Sequence, residues 1–227
     1  FELGWRTQIR GISNDYIVED SIQQIWIKNT QFTNQFRYDE NVHAAYAIYG
    51  TKINKFSYQA GLRAEYTDFT TKLLETNEVN PRNFLKLFPS GHINYELKGQ
   101  NQVQLSYSRR IQRPRFWDLY PFFTFSDNRN IMSGNPNLNP EFTDSYELGH
   151  VKYWEKGNLG TNIFWRHTTD VIQRITNFNA DGTTLTMPLN LATSDNAGIE
   201  FLFAYNATKW LRLDGNANIF RNVIKGN

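Results

Sequence analysis

The chain has 227 residues, 40% hydrophobic and 15% aromatic, with a formal net charge of +2 and a mean hydropathy of −0.59. No apolar run approaches the roughly 20 residues that a membrane helix needs. Cysteine is absent, which removes disulfide frameworks and thiolate metal sites, and the 24 basic residues are spread too evenly for a nucleic-acid footprint.

Abundant aromatics argue against disorder. With such low hydropathy they must alternate with polar residues, the pattern of a β-strand. The chain starts at Phe1 without an initiator Met or signal segment, so it reads as a mature or internal piece.

In chain order, a first strand covers about Phe1 to Ser13. In Asn41 to Thr51 the apolar parity is Val42, Ala44, Tyr46 and Ile48. In Phe56 to Asp68 it is Phe56, Tyr58, Ala60, Leu62, Ala64 and Tyr66, opposite Gln59, Arg63 and Glu65. Ile93, Tyr95 and Leu97 oppose His92, Asn94 and Glu96. Val103, Leu105 and Tyr107 oppose Gln104, Ser106, Ser108 and Arg110. Ser145 to Trp154 is ambiguous; the phase that keeps Glu147 off the apolar face is preferred, and it leaves His150 on that face unexplained. Leu159, Thr161, Ile163 and Trp165 precede Arg166. Ile199, Phe201, Phe203 and Tyr205 flank Glu200, and the last strand, Trp210 to about Ile224, sets Leu211 to Ile219 against Arg212, Asp214, Asn216 and Asn218.

The connections alternate in length. Four polar tetrapeptides, at Lys52, Lys98, Glu155 and Asn206, recur at intervals of 46, 57 and 51 residues. Between them lie longer connections, roughly Asn14 to Glu40, Thr70 to Lys86 and Pro114 to Pro140. The fourth is a two-stranded arm, Val171 to Asn177 returning over Thr184 to Met187. Short turns at one end and long loops at the other are the asymmetry of a transmembrane β-barrel, whose apolar parity faces lipid and whose polar parity lines the lumen. Phe56, Tyr58, Tyr95, Trp154, Tyr205 and Trp210 gather near the short turns, as an interfacial girdle would. The expected fold is all-β: an antiparallel up-and-down barrel segment of about nine strands. Nine is odd, and an open sheet would leave edge groups unsatisfied in hydrocarbon, so residues 1–227 read as one partial barrel domain of a larger closed barrel.

Three stretches carry a resemblance: AGLRAEYT at Ala60 to Thr67, YSRRIQRPRFWDLYPF at Tyr107 to Phe122, and GNPNLNPEFTDSYELG at Gly134 to Gly149. Together they resemble the barrel of TonB-dependent outer-membrane receptors, closest to the outer-membrane β-barrel family proteins. The resemblance implies a barrel of about 22 strands around a plug. This chain would be its middle-to-late part, without the plug, the TonB-contacting box or the closing C-terminal strand. It implies energised import of a scarce ligand (siderophore, cofactor, glycan or peptide) in the outer membrane of a Gram-negative bacterium. The partners implied are outer-membrane lipid, TonB acting through a plug domain outside this chain, the nutrient ligand and a surface lipoprotein. No nucleic-acid partner and no resident cofactor is expected.

Arg109, Arg110, Arg113 and Arg115 cluster at the top of one strand. They could attract an anionic ligand or lipopolysaccharide; the preferred reading pairs Arg110 with luminal carboxylates such as Glu65, Glu96 or Glu147. The run Trp117, Tyr120, Phe122, Phe123 and Phe125 could stack on sugars or hold an apolar ligand; the preferred reading is a loop packing on itself. Arg113, Arg115, Trp117, Tyr120, Phe122, Phe123 and Phe125 are nonetheless the candidates for external ligand contact. The lumen-lining set is Arg63, Glu65, Glu96, Arg110, Glu147, Arg166, Glu200, Arg212 and Asp214. Pro136 and Pro140 mark GNPNLNPE as an extended device that initiates the next strand.

No metal site is expected: Asn177, Asn179, Asp181 and Gly182 imitate a calcium loop, but Pro188 stands at its twelfth position. No G-x-S-x-G or H-E-x-x-H motif occurs, and the protein reads as a non-enzyme. The competing readings are a passive porin-like or structural outer-membrane barrel and, further away, a soluble all-β glycan-binding module.

Overall fold

The computed structural model describes residues 1–30, 33–121 and 129–226. Nine long strands follow one another in a single antiparallel sheet. In chain order the elements are β1 (Glu2–Tyr16), the short pair β2 (Glu19–Ile22) and β3 (Ile25–Lys28), β4 (Asn34–Ile53), β5 (Phe56–Leu73), β6 (Glu78–Glu96), β7 (Asn101–Gln112), the single turn α1 (Phe116–Leu119), β8 (Asn130–Met132), β9 (Glu141–Trp154), β10 (Gly157–Phe178), β11 (Thr184–Asn206) and β12 (Arg212–Gly226). The sheet order is β1-β4-β5-β6-β7-β9-β10-β11-β12, with β8 pairing in parallel to β11 and β2–β3 standing as a separate hairpin.

Tight turns link the strands at one end. Asn54 (φ 53°), Gly99 (φ 69°) and Gln100 (φ 61°) adopt the left-handed backbone that such turns demand. At the other end two expected long loops are shorter than alternation suggested. The stretch Thr70 to Lys86 is mostly strand, with β5 running to Leu73 and β6 starting at Glu78. The expected two-stranded arm is the continuation of β10 and β11 beyond a bulge, where the register shifts between Thr168 and Ile172 and Asp170 sits at φ 56°.

Registered pairs share a face, so pairing decides which parity is which. One face carries Tyr58, Ile93, Leu105, Leu148, Ile163, Ile199 and Ile219 in a row across seven consecutive strands. These greasy rows are open, not stacked on a second layer: Leu105, Ile163 and Ile219 are 52%, 52% and 68% exposed. A solvent-facing apolar sheet of this size is the membrane-facing wall of a barrel. Its band ends in two aromatic borders. Tyr49, Phe56, Tyr58, Tyr95, Trp154 and Tyr205 lie toward the tight turns. At the other border Tyr107, Tyr146 and Trp165 meet in register, with centroids 4.9 and 5.3 Å apart. Directly beyond them runs a polar row, Arg109, Asp144, His167 and Asp195. On β5, Phe56 to Tyr66 then spans about 25 Å of band height at about 3.3 Å per residue and a strand tilt near 40°.

One phase is corrected. Val42, Ala44, Tyr46 and Ile48 are not on the greasy face. They pair with Thr67, Glu65, Arg63 and Gly61, and so lie on the polar face. Both parities of this strand are rich in Ala and Tyr, so hydropathy could not choose. The turn that pairs Ile53 with Phe56 does choose, because a one-residue slip would invert every side chain. The ambiguous β9 takes the preferred phase. His150 lies on the greasy face near its tight-turn border, where its Nε2 meets Asn101 Oδ1 at 3.2 Å.

Candidate functional site

Apolar residues on the polar face concentrate at the long-loop end. Phe36, Tyr38, Phe69 and Leu73 from β4 and β5 form a buried cluster with Leu119 and Leu138. The last two belong to the connection between β7 and β9, which folds back over the polar face. Phe116 and Tyr120 each place their rings 5.8 Å from Phe36. Phe116 and Tyr120 therefore pack on the barrel wall.

This connection is held from many directions. Tyr120 donates to Asn14 of β1 at 2.7 Å. Arg82 of β6 donates to Asn139 Oδ1 (2.8 Å) and Asn137 Oδ1 (3.1 Å). Asn190 of β11 accepts from the Asn139 backbone N–H (2.8 Å) and donates to the carbonyls of Asn139 (3.0 Å) and of the bulge residue Asp170 (2.6 Å). Asn135 donates to the Pro188 carbonyl at 3.1 Å. One short segment can reach β1, β6 and β11 together only if the polar face is concave. GNPNLNPE is thus a strap across that hollow as well as the lead-in to β9. Leu138 is its fully buried anchor. Gly134 permits the fit: a Cβ there would stand 2.4 Å from the Tyr120 carbonyl oxygen.

Charge locks the base of the strap. Arg113 crosses to Glu40 of β4 (Nε–Oε1 3.3 Å), to Glu65 of β5 through Nη2, and to Thr67 Oγ1 (3.2 Å). Arg10 and Arg63 approach the outer oxygens of the same carboxylates at 3.9 and 3.6 Å. Glu40 and Glu65 are 1% and 3% exposed, so Arg113 neutralises charge that would otherwise be buried. Asp118 plays the matching part in α1. It is buried, accepts from the Arg115 backbone and side chain (3.3 Å each), and pairs with Arg174 of β10 at 3.2 Å.

Among the candidate contact residues, Arg113 is a half-buried bridge, Arg115 is exposed while holding Asp118, Tyr120 lies half-buried between Phe36 and Asn14, and Trp117 is 68% exposed. Phe122, Phe123 and Phe125 lie outside the described residues. Burial pushes the Tyr120 phenol up to about 12, with Tyr16 beside it adding to the effect. Beside the strap opens a cavity of about 520 Å³ lined by Tyr16, Trp117, Tyr120, Met132, Arg174 and Pro188, among others. Its aromatic walls surround an arginine whose charge is met by Asp118.

All nine candidate lumen residues fall on the polar face by register. Their pairing differs from expectation. Glu65 is held by Arg113 and Arg63, Glu96 by Lys52 (2.6 Å) and Glu147 by Arg166 (3.3 Å), rather than by Arg110. Arg110 is exposed and registers with Thr143, while Arg212 pairs with Asp214 on its own strand (3.0 Å). At the β10–β11 turn, the Thr183 hydroxyl and N–H both donate to Asp181 and hold its carboxyl below the usual range.

Sequence reasoning missed Glu40, Arg82, Asp118, Arg174 and Asn190. Each works through a partner distant in sequence, and alternation carries no signal of that.

The profile of the outer membrane protein beta-barrel family matches residues 1–227. No curated protein matches. Solved structures share the fold at low identity. The ferric yersiniabactin uptake receptor FyuA from Yersinia pestis aligns with TM-score 0.65 and 16% identity over 98% of this chain and 32% of its own. The hemophore receptor HasR of Serratia marcescens, solved with its hemophore HasA and heme, gives 0.63 and 13% over 89% and 40%. The FrpB iron transporter from Neisseria meningitidis gives 0.62 and 14% over 84% and 26%. The chain spans well under half the length of each.

Proposed function

The chain belongs to the outer membrane protein beta-barrel family, which places it in the outer membrane, and from that premise we propose that it is the barrel wall of a TonB-dependent receptor that imports a scarce ligand. The tight turns face the periplasm and the long loops face outward. The free edges of β1 and β12 pair with further strands of a larger barrel, since unpaired edges are not tolerated in hydrocarbon.

The observation that carries this reading is the strap folded into the concave face at the long-loop end. It crosses the concave face and frames a cavity partly lined by aromatic side chains. A ligand entering from outside meets Trp117 and the cavity first. Its passage onward requires a plug to move, driven by TonB from the inner-membrane proton gradient. No step of this reading needs bond-breaking chemistry. The names of the structural relatives, receptors and transporters for iron compounds and heme-bearing hemophore, support import as the activity class.

The test uses the full-length receptor in cells offered ferric siderophores, heme, cobalamin and oligosaccharides. Uptake of one class stops when a protonophore collapses the gradient. Uptake that continues unchanged identifies a passive barrel and rejects the proposal.

A further inference from the structure

We propose that the outer part of the wall parts sideways between β6 and β7, and that the strap, at Asn139, is the clasp that holds it shut. The ladder between these strands covers only Ser90 to Glu96 and Gln102 to Ser108, although β6 begins at Glu78 and β7 runs on to Gln112. Beyond it β6 stays paired with β5 and β7 with β9, so the split lies between two intact ladders. On β7 it starts at Arg109, in the polar row past the greasy band, where hydrocarbon does not oppose unpaired backbone. Proline explains the starting point. The Leu97 N–H donates toward β7, to the Asn101 carbonyl (2.8 Å), and the Glu96 N–H toward β5, to the Lys55 carbonyl (2.8 Å). Backbone groups alternate sides along a strand, and the β5–β6 register runs without a bulge. Odd-numbered residues of β6 therefore aim at β7, and Pro81 and Pro89 are both odd. Pro89 has no N–H to offer Arg109, so the ladder stops there. Among the described residues, no strand pairs with the edge formed by Asn83, Leu85 and Leu87.

Among the described residues, side chains bridge the split. Phe142 of β9 pairs with Ile111 on the greasy parity, yet it is buried. Its ring lies 6.5 Å from that of Phe88, nearly parallel, and 5.3 Å from the Lys86 ammonium. Phe88 and Lys86 register with Arg63 and Glu65 on the polar face of β6, so Phe142 reaches them through the split and stoppers it. The strap supplies hydrogen bonds across the same gap. On one side Arg82 of β6 donates to Asn137 and Asn139, and on the other Asn190 of β11 holds the Asn139 backbone. Asn139 thus ties the two parts of the wall together. The strap also borders the cavity through Gly134, so displacing it releases the wall. The link between this motion and a ligand rests on the importer reading.

The full-length protein in lipid nanodiscs carries nitroxide pairs for double electron–electron resonance, with heat-modifiable migration as the check on folding. One pair, Leu85→Cys with Ile163→Cys, takes exposed positions on either side of the split, about 30 Å apart at about 3.3 Å per residue and about 4.8 Å per strand. The other, Leu3→Cys with Leu85→Cys, lies on one side of it. Arg82→Ala cuts the clasp from β6, and Asn190→Ala cuts it from β11. Each widens the first distance by about 5 Å, one strand spacing, and leaves the second unchanged. Phe142→Ala removes the stopper without touching the strap, has the same effect, and serves if the clasp variants do not assemble. In wild type, hydrogen exchange is faster at the amides of Leu85 and Leu87 than at those of Phe84 and Lys86. An unchanged first distance in the folded variants overturns the proposal, as does equal widening of both pairs or equal protection of the four amides. Neither readout uses a ligand, so loss of the importer reading leaves the parting standing, and a rigid wall leaves the importer reading standing.

Discussion

The Tyr120 hydroxyl donates to Asn14 at 2.7 Å across 106 residues of sequence. It ties the residue after α1 to the first strand of the sheet, while Asn190 on β11 holds the strap at Asn139. Tyr120→Phe removes this hydrogen bond and lowers the local stability of the β7–β9 connection by about 1 kcal/mol. Limited proteolysis of the strap in the full-length protein measures it.

The same phenol has a pH signature. Its folded pKa, about 12, lies above the ordinary value of 10.0. The neutral form is therefore favoured by folding, and this contribution is complete below pH 10 and lost as pH rises through 12. The difference in phenolate absorbance between wild type and Tyr120→Phe shows no step near pH 10. A step at 10 would mean that the phenol is solvated.

Arg113 supports the strap, and its removal tests that role against ligand contact. Arg113→Met leaves Glu40 and Glu65 buried without their bridge and costs about 3–5 kcal/mol. Adding Glu40→Gln and Glu65→Gln recovers much of the loss. Arg113→Lys recovers little, because one ammonium cannot fork between two carboxylates. Urea midpoints of the folded full-length protein report each step. Unchanged midpoints with weakened uptake would make Arg113 a ligand contact instead.

Trp117 gives the opposite pattern. It is 68% exposed at the cavity rim. Trp117→Ala leaves the urea midpoint within about 0.5 kcal/mol and lowers ligand affinity by about tenfold, read as the concentration giving half-maximal uptake.

The membrane face has its own contrast between adjacent residues. Ile163 and Asn162 are neighbours on β10 with opposite orientations. Ile163→Lys costs about 2–4 kcal/mol in a lipid bilayer, whereas Asn162→Lys costs well under half of that. Refolding into vesicles compares them. Equal costs would mean that the greasy rows do not meet lipid.

Much of this architecture is legible without coordinates because strand geometry is local. In Phe56 to Asp68 the polar and apolar parities differ so strongly that the face of every residue follows from its number. In Asn41 to Thr51 they do not. Ala44 and Ala45, or Tyr46 and Ala47, differ too little, and the phase came from a cross-strand pairing that a single strand's sequence does not encode.

The site follows the same division. The turn-rich tetrapeptides, the greasy and ionic parities and the family text at Tyr107 to Gly149 all precede any coordinate, since each depends on residues within a few positions of one another. That Arg113 bridges Glu40 and Glu65, that Leu138 is an anchor, and that Phe116 and Tyr120 lie on the wall were decided by the curvature of the sheet. Curvature brings together side chains separated by tens of residues, and burial then obliges each charge to find its counterpart.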